Sequence, residues 1–514
     1  MLYYMIFLFC LISGTISEDT KSPRIVIVGA GASGIAAAAK LLENDFQNLI
    51  ILEAENRIGG RVNTVKFETR LTDSFTFVDE YAVDLGAQWI HGEKGNVAYE
   101  LVAPLNITDH SKPMNDEVYT STGELIDTRI TKNITDTYLT YFDTTAGFTG
   151  DKCQRSVGEC IEHKLKDCFK QFPELNETLQ EQLLWLFNMM QIGFDPADSW
   201  YDIAAKAYSE YNICEGDQAM NWRDRGYGTI LDILMKKFPN PEEELPVLNK
   251  TILNAEVTKV DYSSEDNSVK VTTLDGKEYI ADHVIMTPSL GVLKAQYETL
   301  FNPPLPELKI KAIKGLGFGN ACKIFLAFND TWFNAKKTNN AGFRILWTKE
   351  EREKLDSNPK TRWMPYALGF FFVEHKPRLL YVWVSGKGAR LIDDVTDEEI
   401  FDQTVQMLNN MLSKDYNVTR PTAMIRSKWY QNKHFRGTYS FQSIETIKTN
   451  SSALQLSEPI IKMGKPVILF GGEATNKHYY STVHGAIGSG WREAERLISL
   501  YDKINSTNKN PMTK

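Results

Sequence analysis

The chain has 514 residues, 42% of them hydrophobic and 24% charged, which is an ordinary composition for a globular protein of two or three domains. Its 57 lysines and arginines against 66 aspartates and glutamates give a formal net charge of −9. This acidic balance argues against a nucleic acid partner and is compatible with a cationic substrate.

The chain begins with an apolar, uncharged stretch over residues 1–16, and Glu18 opens a polar segment. The stretch is too short to span a bilayer comfortably, and Thr15 and Ser17 are small residues that suit a cleavage site. We therefore predict a signal peptide over residues 1–17, with a retained N-terminal anchor as the alternative. No later stretch is long and apolar enough for a transmembrane helix, so we expect no stable membrane insertion once the leader is removed.

Sequons and cysteines favour an extracellular location. Five cysteines follow the leader, so at least one thiol stays free, and their scatter fits no zinc motif; we expect no metal site. One or two disulfides are predicted among Cys153, Cys160, Cys168 and Cys214. Passage through the secretory pathway, and hence a secreted glycoprotein, is indicated by eight N-x-S/T sequons without proline: Asn106, Asn133, Asn176, Asn249, Asn329, Asn417, Asn450 and Asn505.

Residues 24–61 predict a strand, a glycine turn, a helix and a second strand that ends in an acid. Gly29, Gly31 and Gly34 have the G-x-G-x-x-G spacing. The first glycine permits a tight turn, the second lets backbone amides approach a pyrophosphate, and the third lets the helix pack on the strand. The helix is predicted from Ser33 to Asn44, so the phosphates would lie against Ala32 and Ser33 at its N-terminus.

The second strand, Leu49 to Leu52, ends at Glu53, where a carboxylate can accept hydrogen bonds from ribose hydroxyls. An R-x-G-G-R tail follows over residues 57–61, and its bare backbone and the guanidinium of Arg61 suit a second approach to phosphates. This tail resembles the flavin amine oxidase family rather than nicotinamide dehydrogenases. The implied cofactor is FAD.

The segment from Val78 to Gly92 resembles the D-L-G-A-x-W-I-H-G signature of that family, which passes along the flavin. By this resemblance Trp89 also forms a wall of the substrate site, and His91 lies near the reacting amine as a catalytic residue. Outside this motif a single histidine would be read as a structural residue. The implied cofactor contacts are Gly86, Ala87, Gln88 and Trp89.

From about Leu105 to Phe238 the periodicity is helical, with helices predicted at Ser156–Phe169 and Glu174–Met190. We expect this region to form the first part of a substrate domain. Animal polyamine oxidases commonly place an acid near the end of the second of these helices, where it meets a substrate ammonium. Gln191 stands at that position here, which leaves the identity of the amine open.

The chain then returns to the cofactor domain after a helix predicted at Thr229–Lys237. Strands are predicted at Ala255–Tyr262, Val269–Leu274 and His283–Met286, with a hairpin turn at Asp275-Gly276. By resemblance Val257 lies on the strand whose backbone groups pair with the adenine.

Lys323 precedes an apolar run, where an ammonium must be paired, hydrated or neutral if it is buried. One interpretation is a lysine on an edge strand with its charged end in solvent. The family resemblance instead makes Lys323 the catalytic lysine that holds a water against the flavin.

Two late segments complete the predicted site. Tyr439, in F-R-G-T-Y-S, resembles one aromatic wall of the amine site, and the absence of cysteine there implies that FAD is bound without a covalent link. In G-G-E-A-T, Gly472 and Glu473 are predicted to contact the cofactor, Glu473 through a ribityl hydroxyl. In Y-Y-S-T-V-H-G-A, Thr482 and Val483 continue these contacts. By resemblance, Thr482 stands where monoamine oxidases have a bulkier tyrosine, so it would open one side of the substrate pocket.

Four separated signatures thus resemble the polyamine oxidase group of the flavin amine oxidases, which includes animal spermine and acetylpolyamine oxidases. The implied fold is α/β, with two domains. A Rossmann-like FAD-binding domain would comprise 22–104, 239–310 and 455–500, and an interleaved α+β substrate-binding domain would comprise 105–238 and 311–454. Residues 501–514 are predicted to be a C-terminal tail.

The implied activity is oxidation of spermine, spermidine or their acetylated forms by hydride transfer to flavin. Oxygen is the acceptor, and the products are hydrogen peroxide and an imine that hydrolyses to an aldehyde and an amine. Two alternatives remain: a secreted L-amino-acid oxidase, and a secreted flavoprotein that has lost activity and acts by binding. The preferred amine, the oxidised bond and the oligomeric state stay open.

Overall fold

The structure is a computed structural model that describes residues 22–70, 77–112, 115–143, 155–206, 210–334 and 340–509. The predicted leader, Cys10 and Cys153 lie outside the described residues. The strands, in chain order, are β1 Ile25–Val28, β2 Leu49–Leu52, β3 Thr64–Arg70, β4 Phe77–Asp84, β5 Asn115–Thr120, β6 Thr251–Ile252, β7 Val257–Asp261, β8 Val269–Thr273, β9 Glu278–Ala281, β10 His283–Met286, β11 Phe301–Asn302, β12 Gly317–Phe318, β13 Ala321–Ala327, β14 Asn340–Leu346, β15 Ala367–Phe372, β16 Leu379–Ser385, β17 Ala423–Arg426, β18 Ser440–Phe441, β19 Ile460–Lys462 and β20 Lys465–Phe470.

The α-helices alternate with these strands. In chain order they are α1 Ala32–Leu42, α2 Val97–Val102, α3 Thr128–Asp143, α4 Val157–Phe169, α5 Glu177–Phe194, α6 Thr229–Leu234, α7 Leu290–Leu300, α8 Glu307–Gly315, α9 Lys349–Asp356, α10 Gly386–Leu391, α11 Asp397–Leu412, α12 Ile444–Lys448, α13 Ala453–Ser457 and α14 Val483–Lys509.

A six-stranded sheet in the order β19-β20-β10-β1-β2-β6 forms the centre of the cofactor-binding half. Strand β1 pairs in parallel with β2 and β10, and β10 pairs in parallel with β20. Runs such as IVIV and HVIM suit this position, because parallel strands are covered by helices on both faces. The strands come from three distant parts of the chain, and each lies inside a segment predicted for the FAD-binding domain. The predicted boundaries themselves stay predictions.

Helices α1 and α14 pack closely against each other beside this sheet. A Cβ atom added at Gly490 would lie 2.1 Å from the carbonyl oxygen of Ser33, and one added at Gly34 would lie 2.0 Å from that of Gly29. Any larger side chain at these positions would push the helices apart or open the phosphate turn. The third fingerprint glycine therefore has the packing role that the sequence predicts.

The second six-stranded sheet has the order β17-β13-β16-β15-β14-β5 and is antiparallel except for the β14–β5 pair. Side chains alternate along β13, so Lys323 and Phe325 share one face. That face packs against the hairpin of β3 and β4 through Phe67 and Val83. The sheet thereby directs Lys323 toward the cofactor-binding half and away from solvent.

Several predicted elements differ from the structure. Strand β5 lies in the region predicted to be helical; it is completed by β14, more than two hundred residues later in the chain. Helix α5 begins at Glu177, because the side chain of Asn176 accepts from the Leu179 N–H and caps it, and it runs past Gln191 to Phe194. Helix α6 ends at Leu234 and not at Lys237, since Lys236 has φ of +57°.

The described part of the predicted C-terminal tail is helical, because α14 continues to Lys509. The hairpin turn at Asp275-Gly276 is confirmed between β8 and β9. Cys160 is disulfide-bonded, whereas Cys168, Cys214 and Cys322 are free. In the described ranges, no helix combines the length and apolar character needed to cross a bilayer.

Candidate active site

The glycine turn and helix α1 form a groove that fits the pyrophosphate of a dinucleotide. Gly31 caps α1 without a side-chain hydrogen bond, and the first turn carries no acidic residue, so its backbone N–H groups stay available to an anion. An added Cβ at Gly31 would meet its nearest neighbour only at 4.0 Å, and Gly472, with φ of +105°, has similar open space. Both glycines therefore leave room for the cofactor, as the sequence predicts.

Glu53, the acid predicted to bind a ribose, is buried and held in place by two backbone N–H groups. One of its carboxylate oxygens accepts from the Ala30 N–H at 2.7 Å and the other from the Glu55 N–H at 2.8 Å. Burial raises the pKa of Glu53, and these two N–H bonds oppose that effect. The N–H of Ala255 donates to the Glu53 carbonyl at 2.8 Å, which brings the predicted adenine strand and Val257 to the same edge.

At the other end of the groove, the D-L-G-A segment lies against the arginine tail. A Cβ at Gly86 would lie 1.8 Å from the Arg61 carbonyl oxygen, which also accepts from the Ala87 N–H at 3.1 Å. The Arg61 guanidinium donates to the Thr438 carbonyl at 2.6 Å and to Glu473 at 2.8 Å. In this structure Arg61 thus joins the segment of Tyr439, predicted to line the amine site, to Glu473, predicted to contact the cofactor.

Glu473 is more fully engaged by protein than the sequence suggested. Besides Arg61, its carboxylate accepts from the Ser440 hydroxyl at 2.6 Å and the Ser481 N–H at 2.9 Å. Its predicted bond to a ribityl hydroxyl stays a prediction. The Thr482 hydroxyl donates to the Tyr479 carbonyl at 2.7 Å and so fixes the chain just before Val483, the first residue of α14.

Lys323 is only 4% exposed, so the solvent-facing interpretation is wrong. Its ammonium donates to Gln88 Oε1 at 2.8 Å and lies 5.5 Å from the ring of Trp89 and 5.7 Å from that of Trp383. Burial lowers the pKa of Lys323, and the carboxylate of Asp84 partly restores it. The predicted catalytic lysine is therefore assembled with two predicted cofactor residues, Gln88 and Trp89.

Asp84 is the buried counter-charge of this lysine. It accepts from the Thr64 hydroxyl at 2.5 Å and from the Tyr227 N–H at 3.0 Å. Burial raises the pKa of Asp84, and the positive charge of Lys323 opposes the rise. Asp84, Gln88 and Trp89 also line a cavity of about 710 Å³. Open space therefore lies next to the residues that surround Lys323.

Two histidines lie close together near the start of α14. The Nδ1–H of His91 donates to the Gln218 carbonyl at 2.7 Å, which leaves Nε2 as an acceptor in the neutral ring. Burial lowers the pKa of His91 and lowers that of His484 to about 3, so both rings are neutral. In the described part of the chain, Nε2 of His484 has no hydrogen-bond partner.

A buried acid stands at the end of α5. Asp195 caps that helix one turn after Gln191, whose amide nitrogen donates to Asp195 Oδ2 at 2.9 Å. Gln191 is fully buried and also accepts from the hydroxyl of Tyr138 at 3.2 Å. Gln191, predicted as a substrate contact, therefore holds a carboxylate in place. An acid thus stands four residues after the position at which the sequence lacks one.

Four buried tyrosines feel the charge of this acid. Burial raises the pKa of each, and the negative charge of Asp195 adds to the effect: Tyr138, Tyr211, Tyr439 and Tyr480. The hydroxyl of Tyr439 donates to the Gly193 carbonyl at 3.0 Å. A Cβ at Gly193 would lie 3.6 Å from Nε1 of Trp383. Trp383 therefore lies close both to the end of α5 and to Lys323.

Sequence reasoning missed Asp84, Asp195 and Trp383. Asp84 was visible inside the D-L-G-A motif, directly before the residues that were singled out. Asp195 would have been found by extending the predicted helix past Met190. Trp383 carried no local signal, because only the pairing of β13 with β16 brings it opposite Lys323.

Comparison with known proteins agrees with this geometry. The flavin containing amine oxidoreductase family matches residues 32–498. The peroxisomal N(1)-acetyl-spermine/spermidine oxidase of Bos taurus is 28% identical, over 94% of this chain and 96% of its own. Probable polyamine oxidase 5 of Arabidopsis thaliana is 27% identical, over 94% and 99%. Lysine-specific histone demethylase 2 of Homo sapiens is 27% identical over 94% of this chain but only 54% of its own.

The family match extends over most of the chain, and the predicted α/β architecture and FAD cofactor are confirmed with it. The groove at Gly31, the ribose acid Glu53 and the buried Lys323 are the features of this chain that fit such a cofactor. The protein belongs to the flavin containing amine oxidoreductase family.

Proposed function

We propose that this enzyme oxidises polyamines, namely spermine, spermidine or their acetylated derivatives, with oxygen as the electron acceptor. The observation that carries the proposal is a buried carboxylate, Asp195, held by Gln191 at the end of α5, where Tyr439 bonds the Gly193 carbonyl and Trp383 lies near both Gly193 and Lys323. A carboxylate and aromatic faces are the groups that recognise an organic ammonium. The names of the bovine and plant relatives point to the same substrate class.

Asp195 holds one charged nitrogen of the polyamine and so fixes the position of the chain. Its own orientation is set by Gln191, which keeps the carboxylate from turning back into the helix end. With one nitrogen anchored, the next reaches past Trp383 toward Lys323. Anchoring of this kind places the reacting carbon without any further contact at that carbon.

The reacting nitrogen must be neutral before its C–H bond can be oxidised. His91 and His484 are both uncharged, so neither repels an amine nor gives it a proton. Nε2 of His91 accepts a hydrogen bond from the N–H of the amine, so the lone pair of the amine nitrogen stays free. When bound, without a covalent link, FAD supplies the hydride acceptor and is reoxidised by oxygen to give hydrogen peroxide.

Lys323 serves the hydrolytic step. Its ammonium has three donors, of which one is used on Gln88, so a water can be bound and oriented by another. With its pKa lowered by burial, the amine also exchanges a proton with that water near neutral pH. The imine product is then cleaved to an aldehyde and an amine within the closed site.

The pH dependence of turnover tests this role of Lys323. Asp84→Asn removes the negative charge that supports the ammonium, so the pKa of Lys323 falls further. We expect the Lys323 limb of the kcat profile to move to lower pH by about one unit. Lys323→Met should remove that limb and most of the turnover while the flavin absorbance remains. An unshifted limb in Asp84→Asn, or near-normal turnover in Lys323→Met, would exclude this role.

Substrate class is tested by peroxide release. The purified enzyme is offered spermine, spermidine, their acetylated forms and a set of L-amino acids at equal concentration. We expect turnover with at least one polyamine and none with amino acids. The reason is that the carboxylate of Asp195 in the described site would attract the ammonium group of a polyamine and repel the carboxylate of an amino acid. Turnover confined to amino acids would replace this proposal with the amino-acid oxidase. An unbleached flavin under anaerobic spermine would instead indicate an inactive binding protein.

The role of Asp195 is tested by Asp195→Asn, which keeps the shape of the side chain and removes its charge. We expect KM for the best polyamine to rise by about tenfold or more, since a buried charge-assisted hydrogen bond is lost, with a smaller change in kcat. Asp198→Asn is the matched control, because Asp198 is half exposed and pairs with Arg390. Equal KM values for the two variants would remove Asp195 from substrate binding.

We further propose that the protein passes through the secretory pathway. Every sequon asparagine whose side chain is described is exposed: Asn106, Asn133, Asn176, Asn249, Asn329, Asn417 and Asn450. The disulfide at Cys160 is also typical of an oxidising compartment. The bovine relative is named as peroxisomal, so the two proteins would act in different compartments.

Expression of the full chain in animal cells tests this location. We expect the protein in the medium and a loss of mass after treatment with a peptide N-glycosidase, in steps that disappear when single sequon asparagines are changed to Gln. A soluble, unglycosylated protein inside the cells would refute it.

A further inference from the structure

The segment from Asn432 to Tyr439 lies beside the predicted adenosine end of the cofactor site and carries a histidine bound to two acids. His434 Nδ1 lies 2.5 Å from Glu55 Oε1, and its Nε2 lies 3.2 Å from Glu256 Oε2. All three side chains are less than a fifth exposed. Carboxylates accept and do not donate, so both bonds require a proton on each ring nitrogen. A neutral imidazole makes only one of them.

The neighbours of His434 bond the same two glutamates. Lys433 pairs with Glu256 at 2.5 Å, and the side-chain amide of Asn432 donates to Glu55 at 3.3 Å. Burial raises the pKa of Glu55, but the bonds from His434 and Asn432 and the charge of Arg57 bring it below its usual range. Burial likewise raises the pKa of Glu256, but the hydrogen bonds from Lys433 and His434 bring it below its usual range. We call the group Glu55, Glu256, Lys433 and His434 the histidine clasp.

The clasp reaches both halves of the cofactor site. The N–H of Glu55 donates to Glu53, the ribose acid, and Glu256 directly precedes Val257 on the adenine side. At its other end the same segment gives the Thr438 carbonyl to Arg61 and carries Tyr439. A loosened clasp would therefore release the segment from the ribose and adenine edge.

We propose that His434 is a positioning residue for FAD: by bridging Glu55 and Glu256 it fastens segment 432–439 beside the adenosine end of the cofactor site, so that cofactor retention depends on this bridge. A side chain that does not hold both glutamates would leave the segment attached on one side only. FAD release should therefore accelerate when the ring is replaced. The inference rests on the family cofactor and not on the identity of the amine.

The test follows FAD dissociation from purified holoenzyme by the fluorescence of released flavin after dilution. His434→Gln, a neutral side chain with a single nitrogen, should release FAD about tenfold faster than wild type. His434→Lys brings a charged group with three donors to the two glutamates, so it should release FAD more slowly than His434→Gln. His163→Gln, an exposed histidine on α4, is the matched control and should behave as wild type.

Two results would overturn the proposal. One is a His434→Gln variant with the wild-type rate of FAD release. The other is equal, fast release from His434→Gln and His434→Lys, which would show that the shape of the ring matters and its bonds to the glutamates do not. Should the histidine variants fail to fold, Glu256→Gln tests the same bridge from the opposite side. It should also release FAD faster, and unchanged release from it would equally contradict the proposal.

Discussion

The hydrogen bond between the Lys323 ammonium and Gln88 is the constraint on which the catalytic centre depends. A lysine in the middle of a buried strand is unfavourable unless its charge finds an acceptor, and the acceptor here lies 235 residues away in the cofactor-binding loop. Trp89 and Trp383 lie beside the ammonium, and Asp84 balances its charge. The lysine and its acceptor belong to different halves of the molecule, so this hydrogen bond forms only when the two halves are packed together.

Much of the cofactor half was predictable, because its signals are local. The β1 and β2 strands, the glycine turn and Glu53 follow one another within about thirty residues, and each has a physical requirement that few residue types meet. The later motifs were recognisable as a family resemblance rather than from spacing. The burial of Lys323 was foreseen only as one of two interpretations. An apolar run alone does not distinguish an edge strand from a central one.

The features that were missed depend on pairing between distant segments. Strand β5 is stabilised by β14, and the position of Trp383 is set by the register of β16 on β13, so neither is encoded in its own neighbourhood. Asp195 escaped notice because the predicted helix ended at Met190, short of the end of α5. Gln191, which stands where the family pattern has an acid, donates to the carboxylate of Asp195 one helical turn later.

The order of strands in the cofactor sheet has a consequence for synthesis of the chain. Strand β1 emerges first, yet its neighbour β10 follows some 250 residues later, and β20 comes from the last tenth of the polypeptide. The nascent protein must therefore carry unpaired hydrophobic strand edges through most of translation, where other chains could capture them. A cell that produces this protein would therefore need chaperones to cover these strand edges during elongation. This need is separate from the stability of the folded protein.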